Sequence, residues 1–435
     1  MSNGGGPNHP VVVAPQASRF LTVPESAHLV EPEGGSRGAS FPAGFLASGV
    51  VAGLKESGRP DVGVIAVAPE WRARAASAAM FTTNAFAAAP VIVSRRECEL
   101  TRLVAVTMNS GNANACTGDA GLAAARAMQV ACAEALGVTP SAVAVGSTGI
   151  IGVQLDAALL TRAVARAAAA LTPGGGPDFN RSIMTTDRFP KMCAYEMDAA
   201  GGSVRLGVCA KGAGMISPAM ATMLCVVTTD AVLTAEQMQA LLSEGVRRSF
   251  NRVTVDGEQS TNDSVFFLSS GASGLRPEGS DLARLGRVID AMLLRTALMM
   301  VADGEGATKI VQLSVLGAET EGDAAAVARA IADSPLVKTA MHGGDPNWGR
   351  IISASGAALA GRSLPSARLR LCGVTVVEGG AACPVSDSDR ERLHAAMKGP
   401  EIDICLDLGC GGASEEVFFA DMGHDYITIN AEYHS

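Results

Sequence analysis

The chain has 435 residues, of which 48% are hydrophobic, 18% are charged and 4% are aromatic. Its length exceeds the roughly 250–300 residues that one core usually serves, so we expect a second, smaller domain and reject a disordered chain. The 43 acidic and 34 basic residues give a net charge of -9 with no long Lys/Arg run, which argues against a nucleic-acid-binding protein.

Strand-like apolar runs alternate with alanine-rich helical runs along the chain. The pattern predicts strands at 62–67, 90–93 and 103–108, a helix at 120–136 ending at Gly137, a strand at 143–146 and a helix at 155–171. A Thr234-Ala-Glu-Gln237 capping box opens a helix to about Phe250, and a long apolar helix follows at 282–301. The last third adds strands at 310–315, 368–377 and 402–408 and helices at 323–331 and 388–397. This mixture predicts an α/β or α+β fold with helices layered over sheets.

Cysteine usage and hydropathy indicate the compartment. The ten cysteines form no CxxC pair, and no His cluster has zinc-ligand spacing, so we predict no metal site. Apolar neighbours, as at Cys225 and Cys405, favour buried free thiols in a reducing cytoplasm. No apolar run reaches the roughly eighteen residues of a membrane span. Residues 1–35 lack the features of a secretory signal, and their Gly, Pro and Ser content predicts a disordered extension.

The segment from Lys211 to Asp230 carries the most chemical information. It begins Lys-Gly-Ala-Gly and contains Pro218, and then it changes into an apolar run that is typical of a buried strand. Thr222 stands where the loop meets this strand. If the peptide bond before Thr222 is broken, its new α-amine has a reference pKa of about 7.7–8.0 and can take the proton of its own hydroxyl. Considered alone, Thr222 is more simply a β-branched residue at the start of a strand.

This segment resembles the self-cleavage signature of the ornithine acetyltransferase family, in which Met-Ala-Thr-Met-Leu encloses the cut. Other family motifs occur in the same order from about Phe41 to the end of the chain. They are Asn109-Ser-Gly-Asn-Ala-Asn-Ala-Cys-Thr117, Ser147-Thr-Gly-Ile-Ile-Gly152, Met184-Thr-Thr-Asp187, Ser260-Thr-Asn-Asp263, Ala302-Asp-Gly-Glu-Gly-Ala-Thr-Lys309, Ser334-Pro-Leu-Val-Lys-Thr339, Gly344-Asp-Pro-Asn-Trp-Gly-Arg350 and Ile429-Asn-Ala-Glu-Tyr433. Several long motifs in one order are far more specific than any single match.

The resemblance implies a mechanism and an assembly. The chain would cut itself between Ala221 and Thr222, and Thr222 would pass an acetyl group from N-acetylornithine to glutamate without a metal or organic cofactor. Some members of the family also use acetyl-CoA as the donor. Residues 36–221 would become an α-chain and residues 222–435 a β-chain, interleaved in one layered αββα-like globule. Members assemble as dimers of such pairs.

The resemblance also assigns roles to individual residues. Thr148 and Gly149 match the oxyanion-hole positions, where a hydroxyl and a backbone N–H are suitable donors. Without the resemblance, these two residues read as an ordinary turn after a strand. Lys211 matches a substrate-binding position, where its charge suits an α-carboxylate. Thr185 and Glu305 match two further binding positions, although Thr185 also suits an ST-turn or a helix cap and Glu305 an exposed loop.

Two positions at the C-terminus, Asn430 and Ser435, match substrate-binding residues of the family. Chain ends usually fray, but the apolar run from Tyr426 to Ile429 predicts a docked end. The sequence departs from the family here, because His434-Ser435 replaces a pair of hydroxyl residues. Ser435 still offers a hydroxyl.

Two alternatives remain open at the level of sequence. An amidohydrolase or aminopeptidase could use the same terminal nucleophile, with water resolving the acyl-enzyme. A binding protein that never cuts itself could also carry these motifs without catalysis. The motif at residues 109–117 lacks the Gly-Lys-Ser/Thr of a P-loop, so we predict a turn network near the active site rather than a nucleotide loop.

Overall fold

The computed structural model describes residues 18–30, 37–217 and 223–432. Within these ranges the chain divides into two compact units, which confirms the predicted second, smaller domain. The larger unit comprises the described parts of Leu21–Glu305 and Asn430–Ser435, and the smaller one those of Met1–Phe20 and Gly306–Ile429. In the described ranges, no helix combines the length and the hydropathy needed to cross a bilayer.

The larger unit alternates strands and helices along most of its length. Its strands are β1 (Ala27–Leu29), β2 (Phe45–Val50), β3 (Val62–Val67), β4 (Ala76–Phe81), β5 (Ala105–Asn109), β6 (Val143–Ser147), β7 (Lys191–Ala199), β8 (Gly202–Lys211), β9 (Leu224–Thr229), β10 (Val253–Thr254) and β11 (Ser264–Ser269). Its helices are α1 (Ala89–Glu97), α2 (Gly118–Leu136), α3 (Ala157–Ala169), α4 (Gly176–Ile183), α5 (Ala235–Arg248) and α6 (Gly279–Ala302).

Two sheets form the centre of this unit. One has the strand order β2-β3-β5-β6, and the other has the order β1-β7-β8-β9-β11-β4. Strand β3 is apolar throughout because both of its faces are buried. Val62 and Val64 belong to the core formed with α2 and α3, whereas Ile65 and Val67 belong to a core shared with Val226 of the second sheet.

Helices cover the outer faces of both sheets. Helices α1, α2 and α3 pack on the four-stranded sheet, and α5 and α6 pack against strands of the six-stranded sheet. The order of layers is therefore helix, sheet, sheet, helix, which confirms the predicted layered αββα-like fold. Both sheets contribute apolar side chains to the layer between them, so their strand ends are held in fixed relation.

The smaller unit is a mixed sheet covered by helices. Its strands β12 (Ile310–Ala318), β13 (Arg368–Leu371), β14 (Val374–Glu378), β15 (Ala381–Ala382), β16 (Glu401–Asp407) and β17 (Ala413–Ala420) pair in the order β17-β12-β16-β13-β14-β15. Helices α7 (Glu321–Ala332), α8 (Pro335–Gly343), α9 (Trp348–Ala358) and α10 (Asp387–Met397) follow the same stretch of chain. A single apolar core joins sheet and helices. The last described helix of the chain is α11 (His424–Glu432).

Local signals in the sequence predicted most of these elements, and two predictions were wrong. Pro90–Val93 lies in α1, where Pro90 occupies the first turn, because an apolar run of four residues does not distinguish a strand from a buried helix. The strand predicted at 368–377 is a hairpin, since Cys372 and Gly373 take positive φ values of 46° and 76° and reverse the chain. The capping box at Thr234 is present as predicted.

The N-terminal extension also differs from its prediction in part. Residues 1–17 and 31–36 lie outside the described ranges, so disorder there stays a prediction. Residues 18–30 include β1, which pairs with β7 in antiparallel register from Ala27 to Leu29. Backbone pairing to an existing sheet edge explains this order, and composition alone does not reveal it. Cys405 likewise is half-buried, because strand alternation points it away from the core face that Ile404 occupies.

Gly137 offers a test of the helix ending that the sequence predicted. It caps α2 with φ of 66°, and a Cβ there would meet no atom within 4 Å, so only backbone strain opposes a side chain. Gly137→Ala should therefore lower the free energy of unfolding by about 1 kcal/mol. Gly174→Ala, at an equally open glycine without positive φ, should be neutral or stabilising. Urea unfolding of both variants measures this, and equal effects would contradict it.

Candidate active site

The predicted oxyanion turn lies at one edge of the four-stranded sheet. Strands β5 and β6 are parallel neighbours, so their last residues, Asn109 and Ser147, end at the same edge. The Thr148 N–H donates to the Asn109 carbonyl at 3.0 Å, and the Ser147 hydroxyl donates to Asn109 Oδ1 at 2.6 Å. Beyond the strands, Asn112 forms isolated bridges with Thr148 and Ile150. The two loops thus form the turn network that the sequence predicted at residues 109–117.

Gly149 allows these two loops to approach each other closely. Its φ is +132°, in a region that disfavours side chains. A Cβ at this position would lie 2.4 Å from the Gly111 carbonyl carbon and 2.5 Å from the Asn112 nitrogen. A side chain at residue 149 would therefore force the loops apart and displace Thr148.

Lys211 brings a buried positive charge to Thr148. It is the last residue of β8 and is 3% exposed, and its Nζ donates to Thr148 Oγ1 at 3.4 Å. Burial lowers the pKa of Lys211, whereas the nearby carboxylates of Asp187 and Glu305 oppose this effect. The structure therefore brings together Thr148, Gly149 and Lys211, three of the residues that the sequence singled out.

A buried ion network fixes the backbone next to Lys211. Asp187 Oδ1 accepts hydrogen bonds from Lys191 Nζ at 2.6 Å and from the Gly212 N–H at 2.8 Å. Lys191 also bonds Asp303 Oδ2 at 2.5 Å. Burial alone would raise the pKa of Asp187, but the charges of Lys191 and Lys211 hold it well below its usual range. Asp187 is therefore a carboxylate that ties strand β7 to the end of β8.

The same carboxylate positions Thr185. The Thr185 N–H donates to Asp187 Oδ2 at 2.9 Å, two residues after helix α4 ends at Ile183. Arg188 adds to the network through Asp303, with Arg188 Nε donating to Asp303 Oδ1 at 2.8 Å. The backbone N–H of Thr185 thus holds this residue in place, and its hydroxyl is not part of the hydrogen bond to Asp187.

Glu305 and Asn430 meet in the same unit. The Glu305 N–H donates to the Ala213 carbonyl at 3.0 Å, so its loop is pinned two residues beyond Lys211. A Cβ at Gly214 would lie 2.6–2.7 Å from the Glu305 carboxylate, so glycine there leaves room for this side chain. Asn430 Nδ2 donates to Glu305 Oε2 at 2.9 Å from helix α11. The apolar run from Tyr426 to Ile429 is not packed as the sequence predicted, because no residue of α11 is buried and Ile427 is 67% exposed.

Two carboxyl groups, which the sequence analysis did not single out, hold the chain around the predicted cleavage site. Asp256 accepts the N–H groups of Met215 and Ile216 at 2.7 and 2.9 Å. Asp263 Oδ1 accepts the Met223 N–H at 3.0 Å. Both carboxyls belong to the loop between β10 and β11. Ala221, Thr222 and Ser435 themselves lie outside the described ranges, so their roles stay predictions.

Asn262 connects this loop to the oxyanion turn. Its Nδ2 donates to the Ser147 carbonyl at 2.8 Å and to the Ala113 carbonyl at 2.6 Å. The Ser260–Asp263 motif therefore contacts the oxyanion turn through Asn262 and the chain after residue 222 through Asp263. The motif was visible in the sequence, but nothing in it distinguished a buried carboxyl or amide from an exposed one.

A layered αββα unit that gathers a glycine turn, a buried lysine and a clamped chain segment at one edge defines a candidate acyl-transfer enzyme. The sequence matches the family model described as the ArgJ family over residues 46–435, and the chain belongs to this family. It is therefore an acyltransferase of arginine biosynthesis, which confirms the resemblance derived from the motifs.

Individual relatives are similar over nearly the whole chain. The arginine biosynthesis bifunctional protein ArgJ of Nitratidesulfovibrio vulgaris is 45% identical over 91% of this chain and 100% of its own length. The protein of the same name from Symbiobacterium thermophilum is 40% identical over 91% of this chain and 98% of its own length. Among solved structures, ornithine acetyltransferase complexed with ornithine from Mycobacterium tuberculosis is 36% identical, with a TM-score of 0.40, over 46% of this chain and 100% of that chain.

Asp256 predicts a pH dependence of stability. Burial, with a further contribution from Glu305, raises the pKa of Asp256 from its usual 3.8 to about 6. The folded state therefore prefers the protonated carboxyl, and the free energy of unfolding falls as pH rises from about 4 to about 6. Relative to Asp256→Asn, which cannot titrate, the wild type should lose about 1–3 kcal/mol over this window. Urea unfolding between pH 4 and 8 measures the difference, and a constant value would contradict this.

Proposed function

We propose that the chain transfers an acetyl group from N2-acetyl-L-ornithine to L-glutamate through an ester on Thr222, releasing L-ornithine and N-acetyl-L-glutamate. Autoproteolysis between Ala221 and Thr222 first releases the α-amine that activates the Thr222 hydroxyl. Residues 36–221 and 222–435 then remain together as α- and β-chains in one globule, and two such pairs form a dimer. The relatives are named as bifunctional proteins, and we propose acetyl-CoA as a further donor for this chain.

Strand register is the observation that carries the proposal. Lys211 is the partner of Leu224 in the antiparallel pair of β8 and β9, so β9 begins beside the buried lysine. Leu224 in turn is the partner of Ser264 in the parallel pair of β9 and β11. The oxyanion turn touches the same lysine through Thr148. A nucleophile two residues before Leu224 would therefore meet both a cation and oxyanion donors.

Self-cleavage would begin with the Thr222 hydroxyl. Its oxygen attacks the Ala221 carbonyl carbon, the peptide nitrogen leaves as the α-amine of Thr222, and water hydrolyses the resulting ester. Asp256 and Asp263 hold the backbone on both sides of this bond, which limits the conformations that the segment can adopt. Restriction of this kind favours an intramolecular attack.

Acetyl transfer would use the same hydroxyl in two half-reactions. The α-amine accepts the hydroxyl proton while Thr222 Oγ1 bonds to the acetyl carbon, and the proton then goes to the departing ornithine nitrogen. Thr148 accepts its hydrogen bond from Lys211, so its own O–H is available to donate to the oxyanion, together with the Gly149 N–H. The glutamate amine then attacks the ester and regenerates the free hydroxyl.

Substrate binding would rely on the charged groups around this point. Both amino acids carry an α-carboxylate, which Lys211 can bind by a charge-assisted hydrogen bond. The Glu305 carboxylate, already bonded by Asn430, can accept hydrogen bonds from a substrate amino group. We assign further substrate contacts to Thr185 and to Ser435.

The first test of the proposal is to measure the masses of the chains in the purified protein. Wild-type protein should give two chains, the smaller of which begins at Thr222, whereas Thr222→Ala should give one uncut chain without acetyl transfer. Thr228→Ala, which removes a buried hydroxyl bonded to the Ala39 carbonyl at 2.8 Å, is the matched control and should still be cut. Intact-mass analysis and N-terminal sequencing decide. An uncut wild type, as a binding protein would show, or two chains from Thr222→Ala would refute the mechanism.

The second test separates transfer from hydrolysis. With N-acetylornithine and cleaved enzyme, glutamate should raise the rate of ornithine release at least tenfold, about 1.4 kcal/mol in barrier, because its amine resolves the ester faster than water does. The measurement is ornithine release with and without glutamate, together with formation of N-acetylglutamate. Equal rates in both conditions would identify an amidohydrolase with the same nucleophile.

A further inference from the structure

We propose that Lys55 is a specificity-determining residue of this site and that its ammonium group binds the side-chain carboxylate of the acceptor amino acid. The inference rests on the proposed function, because it concerns the second half-reaction. In that scheme Lys211 binds the α-carboxylate that donor and acceptor share, and Glu305 suits an amino group. The side-chain carboxylate of glutamate is then left without a cation, and enclosing an unpaired carboxylate in a site is costly.

A buried carboxylate holds the loop that carries Lys55. Asp61 is fully buried and accepts the four backbone N–H groups of residues 52–55, with N–O distances of 2.5–3.1 Å. The Asp61 carbonyl accepts the Ser110 N–H at 2.9 Å, one residue beyond the end of β5. The position of Lys55 is therefore fixed through its backbone, and its side chain is not needed to hold the loop.

The side chain of Lys55 begins beside the oxyanion turn. A Cβ at Gly111, where φ is +93°, would lie 2.8 Å from the Leu54 carbonyl oxygen and 3.3 Å from Lys55 Cγ. The Gly111 carbonyl carbon is also the atom that a Cβ at Gly149 would approach to 2.4 Å. One glycine therefore lies against both the stem of Lys55 and the candidate oxyanion-hole residue.

The ammonium end of Lys55 lies near the turn that carries Thr185. Lys55 Nζ donates to the Pro60 carbonyl at 2.8 Å and to the Arg181 carbonyl at 3.5 Å. Arg181 belongs to the last turn of α4, where the helix dipole favours a cation, and Thr185 follows four residues later. Both acceptors are uncharged carbonyls, and an ammonium group has three N–H donors, so the third can reach a bound carboxylate.

The charges that act on Lys55 belong to the same site. Burial lowers the pKa of Lys55 to about 8, the carboxylates of Asp61 and Asp187 oppose this effect, and the charges of Lys211 and Arg59 add to it. The ammonium groups of Lys55 and Lys211 are thus close enough to repel each other. A carboxylate bound at each would relieve this repulsion, and a dicarboxylic amino acid supplies two.

The site has to accept a positive side chain in the first half-reaction and a negative one in the second. Glu305 and Lys55 belong to different loops, so the two side chains can take different directions from the shared α-carboxylate at Lys211. While the amino group of ornithine is bound, the flexible side chain of Lys55 can keep its hydrogen bond to the Pro60 carbonyl. Lys55 therefore favours the acceptor without blocking the donor.

Lys55→Met tests this role, because methionine keeps an unbranched stem and removes the charge. With cleaved enzyme and N-acetylornithine as donor, kcat/KM for glutamate should fall at least about tenfold through the loss of a charge-assisted hydrogen bond. The value for glutamine, an uncharged acceptor of the same size, should hardly change, and Lys55→Arg should restore most of the preference for glutamate. Formation of the two acetylated products measures both values. An equal loss for glutamate and glutamine would overturn the inference.

Arg59→Met is the matched control. Arg59 is an exposed cation of the same loop, and its charge also acts on Lys55. This variant changes the net charge by the same amount as Lys55→Met, but it should leave the ratio of the glutamate and glutamine values unchanged. An equal fall of this ratio in both variants would show a general field effect and would overturn a direct contact at Lys55.

A pH profile of the wild type covers the case in which Lys55→Met does not fold or is not cut. Lys55 loses its charge as pH rises through about 8, so the ratio of kcat/KM for glutamate to that for glutamine should fall between about pH 7 and about pH 10. Titration of Lys211 cancels in this ratio, because both acceptors carry the α-carboxylate. A constant ratio would contradict the role of Lys55. If the wild type transfers no acetyl group to glutamate, the proposed function fails as well, so the two failures are distinguishable.

Discussion

The hydrogen bonds from backbone N–H groups to Asp256 and Asp263 are the constraint on which the geometry of the candidate site depends. One loop supplies both carboxyls, and they hold Met215 and Ile216 on one side of residues 218–222 and Met223 on the other. Asn262, from the same loop, holds the oxyanion turn at Ser147. One loop therefore sets the distance between the oxyanion turn and the chain segments on either side of residues 218–222.

The sheets deliver the remaining groups to this loop. Thr148 follows β6 in one sheet and Lys211 ends β8 in the other, so the two side chains meet only because the sheets pack face to face. The ion network at Asp187 then fixes the backbone immediately after Lys211. Burial of so many charges is costly and weakly stabilising at best, so a need for fixed geometry at the site explains them better than a contribution to stability.

Sequence reasoning predicted the layered fold, and the family resemblance alone assigned Thr148, Gly149 and Lys211 to one candidate site. The structure brings these three residues together. The sequence did not single out Asp256 or Asp263, since a carboxylate carries no mark in sequence of whether it will be buried, and their partners lie about 40 residues away in the chain. The misassigned run at Pro90 has the same cause. Tertiary contacts determine the conformation of this run, because four residues are too few to show the periodicity of a helix or a strand.

The strand order β8-β9-β11-β4 affects how this sheet would assemble before and after scission. In the proposed mature form, β9 and β11 belong to the downstream chain and lie between β8 and β4 of the upstream chain. Assembly of this sheet is unimolecular before scission, but afterwards it would require two polypeptides to meet, so its rate would depend on concentration. In the proposed scheme, the precursor would have to fold before it is cut. Once denatured and diluted, the mature enzyme would have lost the linkage that guided its folding, and its persistence would depend on slow unfolding.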